Sequence, residues 1–272
     1  MIEAGPLFLH GEPRRGPVFA PLEVSPGRPP LEEMRREAEA LDARCAACGL
    51  ALSGGAARIA GPATPEALRA ASLAVAGLAG RFYLVPGKTA RPPPGPFVLG
   101  HLSGDPSPWT ALGVFAAIRG GLGETRGARV AVLGCGRVGS RLVDLLIEAG
   151  ARVLAADIDP ARAAAAGSAG AEVLSPAELV GVECDVLSPA ARGFVFTEEE
   201  QARLRCRLII GAQSVVPWRE RGAIRAVPET LSGSGWLLNL AAELLPGGWS
   251  EAAARRLVLS VTHLGPGPES PI

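Results

Sequence analysis

The second half of the chain alternates between short apolar runs and amphipathic segments. Apolar runs that read as buried strands stand at residues 130–133, 153–156, 172–174, 184–187 and 208–210. Between them, apolar residues recur every three or four positions, as at Val138, Leu142 and Leu146, which is typical of a helix with one buried face. This alternation of strands and helices predicts a doubly wound, parallel α/β sheet.

The first half of the chain has a different pattern, in which proline- and glycine-rich pieces separate short helices. Residues 1–30 read as short edge strands and turns, and 49–60 as a glycine-rich loop that runs into a short strand. Helices are predicted at 31–44, 64–79 and 109–119, with Thr64 as the N-cap of the second and Pro65 at its first position. We therefore predict a smaller α/β domain at residues 1–119, a second domain at 120–258 and a tail at 259–272. The last helices of the second domain are candidates for packing back onto the first.

The turn after the first parallel strand contains a candidate binding motif. It reads GCGRVG at 134–139 and fits the pattern G-x-G-x-x-G. In that pattern Gly134 makes the tight turn, Gly136 lets the backbone approach a pyrophosphate, and Gly139 lets the helix pack close to the sheet. The start of the following helix offers unpaired N–H groups to phosphates.

Asp157 ends the next strand, 23 residues after Gly134. This is close to the roughly 20 residues expected for the acid that binds a ribose 2′-hydroxyl in a Rossmann domain. We predict a dinucleotide site that takes NAD rather than NADP, because the carboxylate repels a 2′-phosphate, although the nearby Arg162 weakens that preference. The predicted cofactor contacts are Gly134, Gly136, Arg137, Val138, Gly139, Asp157 and Ile158. The alternative is an ordinary strand–helix–strand unit whose glycines serve packing alone.

Charge and composition narrow the choice of partners. The formal net charge is zero, so nothing suggests nucleic-acid binding. No apolar run reaches the roughly 18 residues of a membrane span, and the first residues do not resemble a signal peptide. We predict a cytoplasmic protein with no membrane partner.

The five cysteines are predicted to be reduced thiols. Cys45 and Cys48 have the spacing of a metal or redox pair, but the chain has no second pair. We therefore predict that these two cysteines have packing roles and that there is no metal site.

Several stretches resemble the glutamate, leucine, phenylalanine and valine dehydrogenase family, and its leucine dehydrogenases most of all. They are GLALSGG at 49–55, GDPSPWTALGV at 104–114, the glycine turn through Asp157, VECDVLSPAA at 182–191 and NLAAEL at 239–244. The resemblance implies oxidative deamination of an amino acid with NAD(P), and it places Ser188, Pro189 and Ala190 beside the nicotinamide ribose. It also implies a homo-oligomer formed through the N-terminal domain, which we expect to be a dimer.

The same resemblance implies two catalytic lysines and an aspartate, yet Lys88 is the only lysine in the chain. Arg44 stands at one lysine position, GGAAR at 54–58 covers the other, and Gly87 stands where the aspartate is expected. QSV at 213–215 and GSGW at 233–236 replace the asparagine motifs near the nicotinamide. Arg44 or Arg58 could clamp a carboxylate, but an arginine stays protonated and cannot act as a base. Lys88 is either a desolvated base or a solvated loop residue.

Two hypotheses follow from this mixture of kept and replaced residues. The first is an NAD-dependent oxidoreductase of the amino-acid dehydrogenase type, with altered catalytic residues, that acts on a small amino or keto acid. The second is a non-catalytic relative that binds the dinucleotide and serves as a sensor or as the regulatory partner of an active dehydrogenase.

Overall fold

The computed structural model describes residues 1–78, 80–87, 89–91, 93, 97–99, 105–191, 196–212, 224–244 and 249–260, without the side chains of Pro86 and Thr230. Lys88, the segments 213–215 and 246–248 and the tail from residue 261 lie outside them. The chain divides into two compact units: Met1–Asp105 with Leu240–Ser250, and Pro106–Asn239 with the helix that follows residue 250.

The first unit is built on a mixed five-stranded sheet of order β1-β2-β4-β3-β5. Its strands are β1 (Ile2–Ala4), β2 (Leu7–Gly11), β3 (Val18–Ser25), β4 (Ser53–Ala60) and β5 (Phe82–Pro86), and its helices are α1 (Leu31–Ala47) and α2 (Pro65–Ala76). Ile59 of β4 packs with Val75 of α2, whereas Ala56 packs with Met34 of α1. Because side chains alternate along a strand, α1 and α2 cover opposite faces of the sheet.

The predicted helices of this unit are confirmed, and local sequence explains them. Met34, Ala38 and Leu41 recur at helical spacing on the buried face of α1. Thr64 caps α2 as predicted, because its side chain accepts a hydrogen bond from the N–H of Ala67, and Pro65 occupies the first turn.

Two predictions about the strands of the first unit are wrong. β3 was expected among short edge strands, but it has eight residues and lies between β4 and β5. Residues 49–60 were expected to be mostly a loop, but Ser53–Ala60 is a strand. Gly54 explains the second error, because a Cβ at this position would stand 2.0 Å from the backbone N of Asp42 in α1. The glycine allows α1 to rest directly on β4, and that contact is invisible in the local pattern.

The second unit confirms the predicted doubly wound parallel sheet, with six strands in the order β11-β10-β9-β6-β7-β8. The strands are β6 (Arg129–Leu133), β7 (Arg152–Ala156), β8 (Glu172–Val173), β9 (Val186–Pro189), β10 (Leu208–Ile209) and β11 (Arg225–Ala226). The helices are α3 (Ser107–Leu122), α4 (Arg137–Glu148), α5 (Pro160–Ser168), α6 (Pro176–Gly181), α7 (Glu198–Arg203), α8 (Glu229–Ser232), α9 (Gly235–Ala241) and α10 (Glu251–Ser260). The last two residues of α9 and the 3₁₀ turn that follows it (Ala242–Leu244) belong to the first unit. Counted in chain order, the strands follow the Rossmann sequence 3-2-1-4-5-6.

Helix α3 belongs to the second unit, so the domain boundary differs from the one expected after residue 119. The division falls between Asp105 and Pro106. Val114 and Ile118 of α3 pack in one core with Val132 of β6 and Leu142 of α4. An apolar helix of this kind has no sequence signal that tells which sheet it covers.

Candidate functional site

The glycine turn lies between β6 and the start of α4, beside β9, where the strand order of the sheet reverses. This switch point is where ligands bind in open α/β sheets. Gly134 has a φ of 99°, and a Cβ there would stand 2.5 Å from the backbone N of Ala191. A Cβ at Gly139 would stand 1.8 Å from the carbonyl oxygen of Gly134. Packing and backbone conformation therefore require both of these glycines.

Gly136 is different, because neither packing nor backbone conformation requires a glycine there. Its φ is −70°, which any residue adopts. Among the described residues, its chain neighbours apart, the one atom within 4 Å of a Cβ built on it is Arg162 Nη1, at 4.0 Å. The missing side chain leaves open space at the helix start, where a phosphate would approach. Packing alone therefore explains Gly134 and Gly139, but it does not explain the glycine at position 136.

The N-terminus of α4 is suited to an anion. Gly136 is its N-cap, no side chain caps it, and its first turn has no acidic residue. By contrast, α5, α6 and α7 begin with capping side chains, from Asp159, Ser175 and Thr197. The positive end of the α4 dipole therefore faces a helix start that no capping side chain occupies, an arrangement that favours a bound anion.

Asp157 stands at the end of β7 and is held by the backbone around it. Its Oδ2 accepts a hydrogen bond from the N–H of Cys135 at 2.6 Å, and its Oδ1 accepts one from the N–H of Asp159 at 2.8 Å. Each oxygen keeps a lone pair for a hydroxyl donor. Burial, and then the charge of Asp157, raises the pKa of the Cys135 thiol to about 11. Ile158, the next residue, is 92% exposed and offers an apolar surface beside the carboxylate.

The end of β9 comes against the glycine turn. The N–H of Ala190 donates to the carbonyl of Leu133 at 2.8 Å, and the Ala190 Cβ would lie 3.4 Å from a Cβ on Gly139. Ser188 is fully buried, and no described residue hydrogen-bonds to its hydroxyl. Ala191, which was not among the predicted contacts, packs on Gly134. The sequence signal that could have identified Ala191 as a contact was the pair of small residues, Ala190 and Ala191, directly after the buried strand β9.

The three predicted catalytic residues are not brought together among the described residues. Arg58 of β4 is buried and faces α1, where it contacts Glu37 and lies 3.9 Å from Glu33. Arg44 lies in the last turn of α1 and is partly exposed. Glu37 and Arg44 are seven residues apart on one helix, or about 10 Å. Lys88 lies outside the described residues.

The position expected for the family's aspartate is tightly closed. A Cβ built on Gly87 would stand 1.9 Å from the carbonyl oxygen of Leu22 and 2.8 Å from Glu23 Oε1.

Within the described part of the chain, no group of three His, Cys, Asp or Glu side chains could hold a metal. In that same part, no helix has the length and apolar character needed to cross a membrane.

Comparison with known proteins identifies the family. The model of the TrkA-N domain matches residues 130–176, which run from β6 to the start of α6. Phenylalanine dehydrogenase of Thermoactinomyces intermedius is 30% identical over 250 residues, which cover 79% of this chain and 67% of that enzyme. The chain belongs to the amino-acid dehydrogenase family. Leucine dehydrogenase of the same organism is 33% identical over 158 residues, which cover 53% of this chain but only 43% of the enzyme.

One solved structure agrees with this assignment to the amino-acid dehydrogenase family, and a second shares the fold. L-tryptophan dehydrogenase from Nostoc punctiforme has a TM-score of 0.76 at 25% identity, over 94% of this chain and 82% of that one. The hetero-hexameric glutamate dehydrogenase from Thermus thermophilus has a TM-score of 0.61 at 23% identity, over 95% of this chain and 82% of that one. The second likeness concerns the fold alone.

Proposed function

We propose that this protein is an NAD-dependent oxidoreductase of the amino-acid dehydrogenase type in which the catalytic residues are altered. The observation that carries the dinucleotide site is the open space at Gly136, together with the fixed carboxylate of Asp157. The first N–H groups of α4 would bind the pyrophosphate, and Asp157 would accept hydrogen bonds from the adenosine ribose. Ile158 would cover the adenine, while Ser188, Pro189 and Ala190 would lie beside the nicotinamide ribose. The bound cofactor would supply a hydride acceptor.

NAD is proposed over NADP because both oxygens of the Asp157 carboxylate accept backbone hydrogen bonds, which fix the carboxylate at the end of β7. A fixed negative charge favours a ribose hydroxyl and repels a 2′-phosphate. For the other substrate, a small amino or keto acid, Arg44 and Arg58 are the candidate carboxylate clamps. Arg58 is also engaged with Glu37. Lys88 is the candidate base.

The second candidate function is a non-catalytic relative that binds the dinucleotide and acts as a sensor or as a regulatory partner. Two observations favour it. Arg58 is engaged in an ion pair on the α1 side of the sheet, and Gly87 has no space for an aspartate side chain. Both observations concern the amino-acid half, and neither touches the dinucleotide site.

Titration of the purified protein with NAD and NADH tests the shared proposal. We expect binding, and we expect Gly136→Val to abolish it while the melting temperature stays close to that of the wild type, because the new side chain enters open space. Gly27→Val is the matched control, since no atom of the described residues lies within 4 Å of a Cβ at that position. Absence of binding at millimolar concentrations would refute both candidate functions.

Catalysis separates the two candidate functions. NADH formation would be recorded across the common amino acids and 2-hydroxy acids. Turnover that is lost in Lys88→Ala would support the oxidoreductase with a relocated base, and silence across the panel would favour the non-catalytic relative. We also propose a cytoplasmic homodimer, and light scattering that detected only monomer would contradict that oligomeric state.

A further inference from the structure

Arg162 extends over the glycine turn from the first turn of α5. Its Nη1 lies 4.0 Å from the position that a Cβ on Gly136 would take, and the side chain is 58% exposed. The guanidinium therefore stands at the edge of the open space that distinguishes Gly136 from the two packing glycines. No predicted contact of the dinucleotide site includes this cation.

Asp159 holds the Arg162 side chain in place, whereas the dipole of α5 disfavours a cation at this position. Asp159 Oδ1 accepts a hydrogen bond from the N–H of Ala161 and caps α5, while Asp159 Oδ2 pairs with Arg162 Nε at 3.3 Å. A cation in the first turn of a helix faces the positive end of the dipole, which is unfavourable. The ion pair with Asp159 offsets that cost. It engages Nε of Arg162, and Nη1 lies towards Gly136.

We propose that Arg162 binds a phosphate group of the dinucleotide, together with the first N–H groups of α4. This inference rests on the proposed dinucleotide site and adds a charged ligand to it. A planar guanidinium offers paired donors that match phosphate oxygens. The phosphate is either the pyrophosphate, which NAD and NADP share, or the 2′-phosphate of NADP, for which Arg162 would offset the repulsion by Asp157.

The test measures the binding of adenosine, ADP, NADH and NADPH to the full chain and to Arg162→Ala. Arg69→Ala is the matched control, because Arg69 is 62% exposed and pairs with Glu66 at the same (i, i+3) spacing on α2. We expect Arg162→Ala to weaken the binding of every ligand that carries the contacted phosphate roughly ten- to a hundredfold, which is the usual value of a charge-assisted hydrogen bond. ADP, NADH and NADPH carry the pyrophosphate, and NADPH alone carries the 2′-phosphate. Adenosine binding should not change, and Arg162→Lys should give an intermediate loss.

The two phosphate sources give different patterns. Equal weakening of NADH and NADPH identifies the pyrophosphate, and weakening of NADPH alone identifies the 2′-phosphate. Wild-type affinity of Arg162→Ala for all four ligands, or an equal loss for adenosine and ADP, would overturn the assignment of Arg162 and leave the proposed function intact. Failure of the wild-type protein to bind either NADH or NADPH would instead overturn the proposed function itself.

Discussion

Introduction of an aspartate at Gly87 should destabilise the first unit of the protein. A Cβ at this position would stand 1.9 Å from the carbonyl oxygen of Leu22 and 2.8 Å from Glu23 Oε1. Leu22 lies in β3, an interior strand, so its carbonyl cannot rotate away without loss of sheet hydrogen bonds. Insertion of atoms into packed structure typically costs about 1–3 kcal/mol, and we expect Gly87→Ala to reach the upper end of that range.

Gly87→Asp should cost more than Gly87→Ala, because it adds a carboxylate beside that of Glu23, whose Oε2 already accepts a hydrogen bond from the N–H of Thr89. Urea unfolding followed by circular dichroism measures both variants. Gly27→Ala and Gly27→Asp are the matched controls, because within the part of the chain that the structure describes no atom lies within 4 Å of a Cβ there. A wild-type urea midpoint for Gly87→Asp would refute the reasoning and would show that the position can accept an aspartate.

Three further predictions concern buried groups, and urea unfolding measures each. Glu37→Ala should lower the free energy of unfolding by about 3 kcal/mol, more than Arg58→Met. The reason is that it leaves a buried guanidinium with Glu33, at 3.9 Å, as its carboxylate partner among the described residues; equal losses would contradict this. Ser188→Ala should raise the free energy of unfolding by roughly 1 kcal/mol, since it removes a buried hydroxyl to which no described residue hydrogen-bonds. A lower free energy of unfolding in this variant would mean that the hydroxyl has a partner. Burial raises the pKa of Cys45 and of Cys184 to about 12, against 9.0 for a free thiol, so the unfolded state loses these protons first. The free energy of unfolding should therefore be unaffected by these thiols below pH 9 and fall between pH 9 and 12, and the fall should be smaller in a Cys45→Ala, Cys184→Ala double variant.

Local sequence predicted the elements of the second unit well, because strand length, helical spacing and turn residues are local properties. β11 was missed, since Arg225 and Ala226 are exposed and carry no apolar signal. In the first unit the glycine-rich segment was misread as a loop. Gly54 and Gly55 read as turn residues in isolation, and only the close approach of α1 explains why they stand inside a strand.

The sequence by itself determined the strand–helix alternation, the glycine motif and the acid that follows it, and these were enough to predict a Rossmann sheet. Only the tertiary structure decided which glycine has open space, because Gly134 and Gly136 look alike in a motif and differ in their neighbours. It likewise decided that Arg58 is paired with Glu37. Burial and pairing depend on residues that are distant along the chain, and the local pattern does not record them.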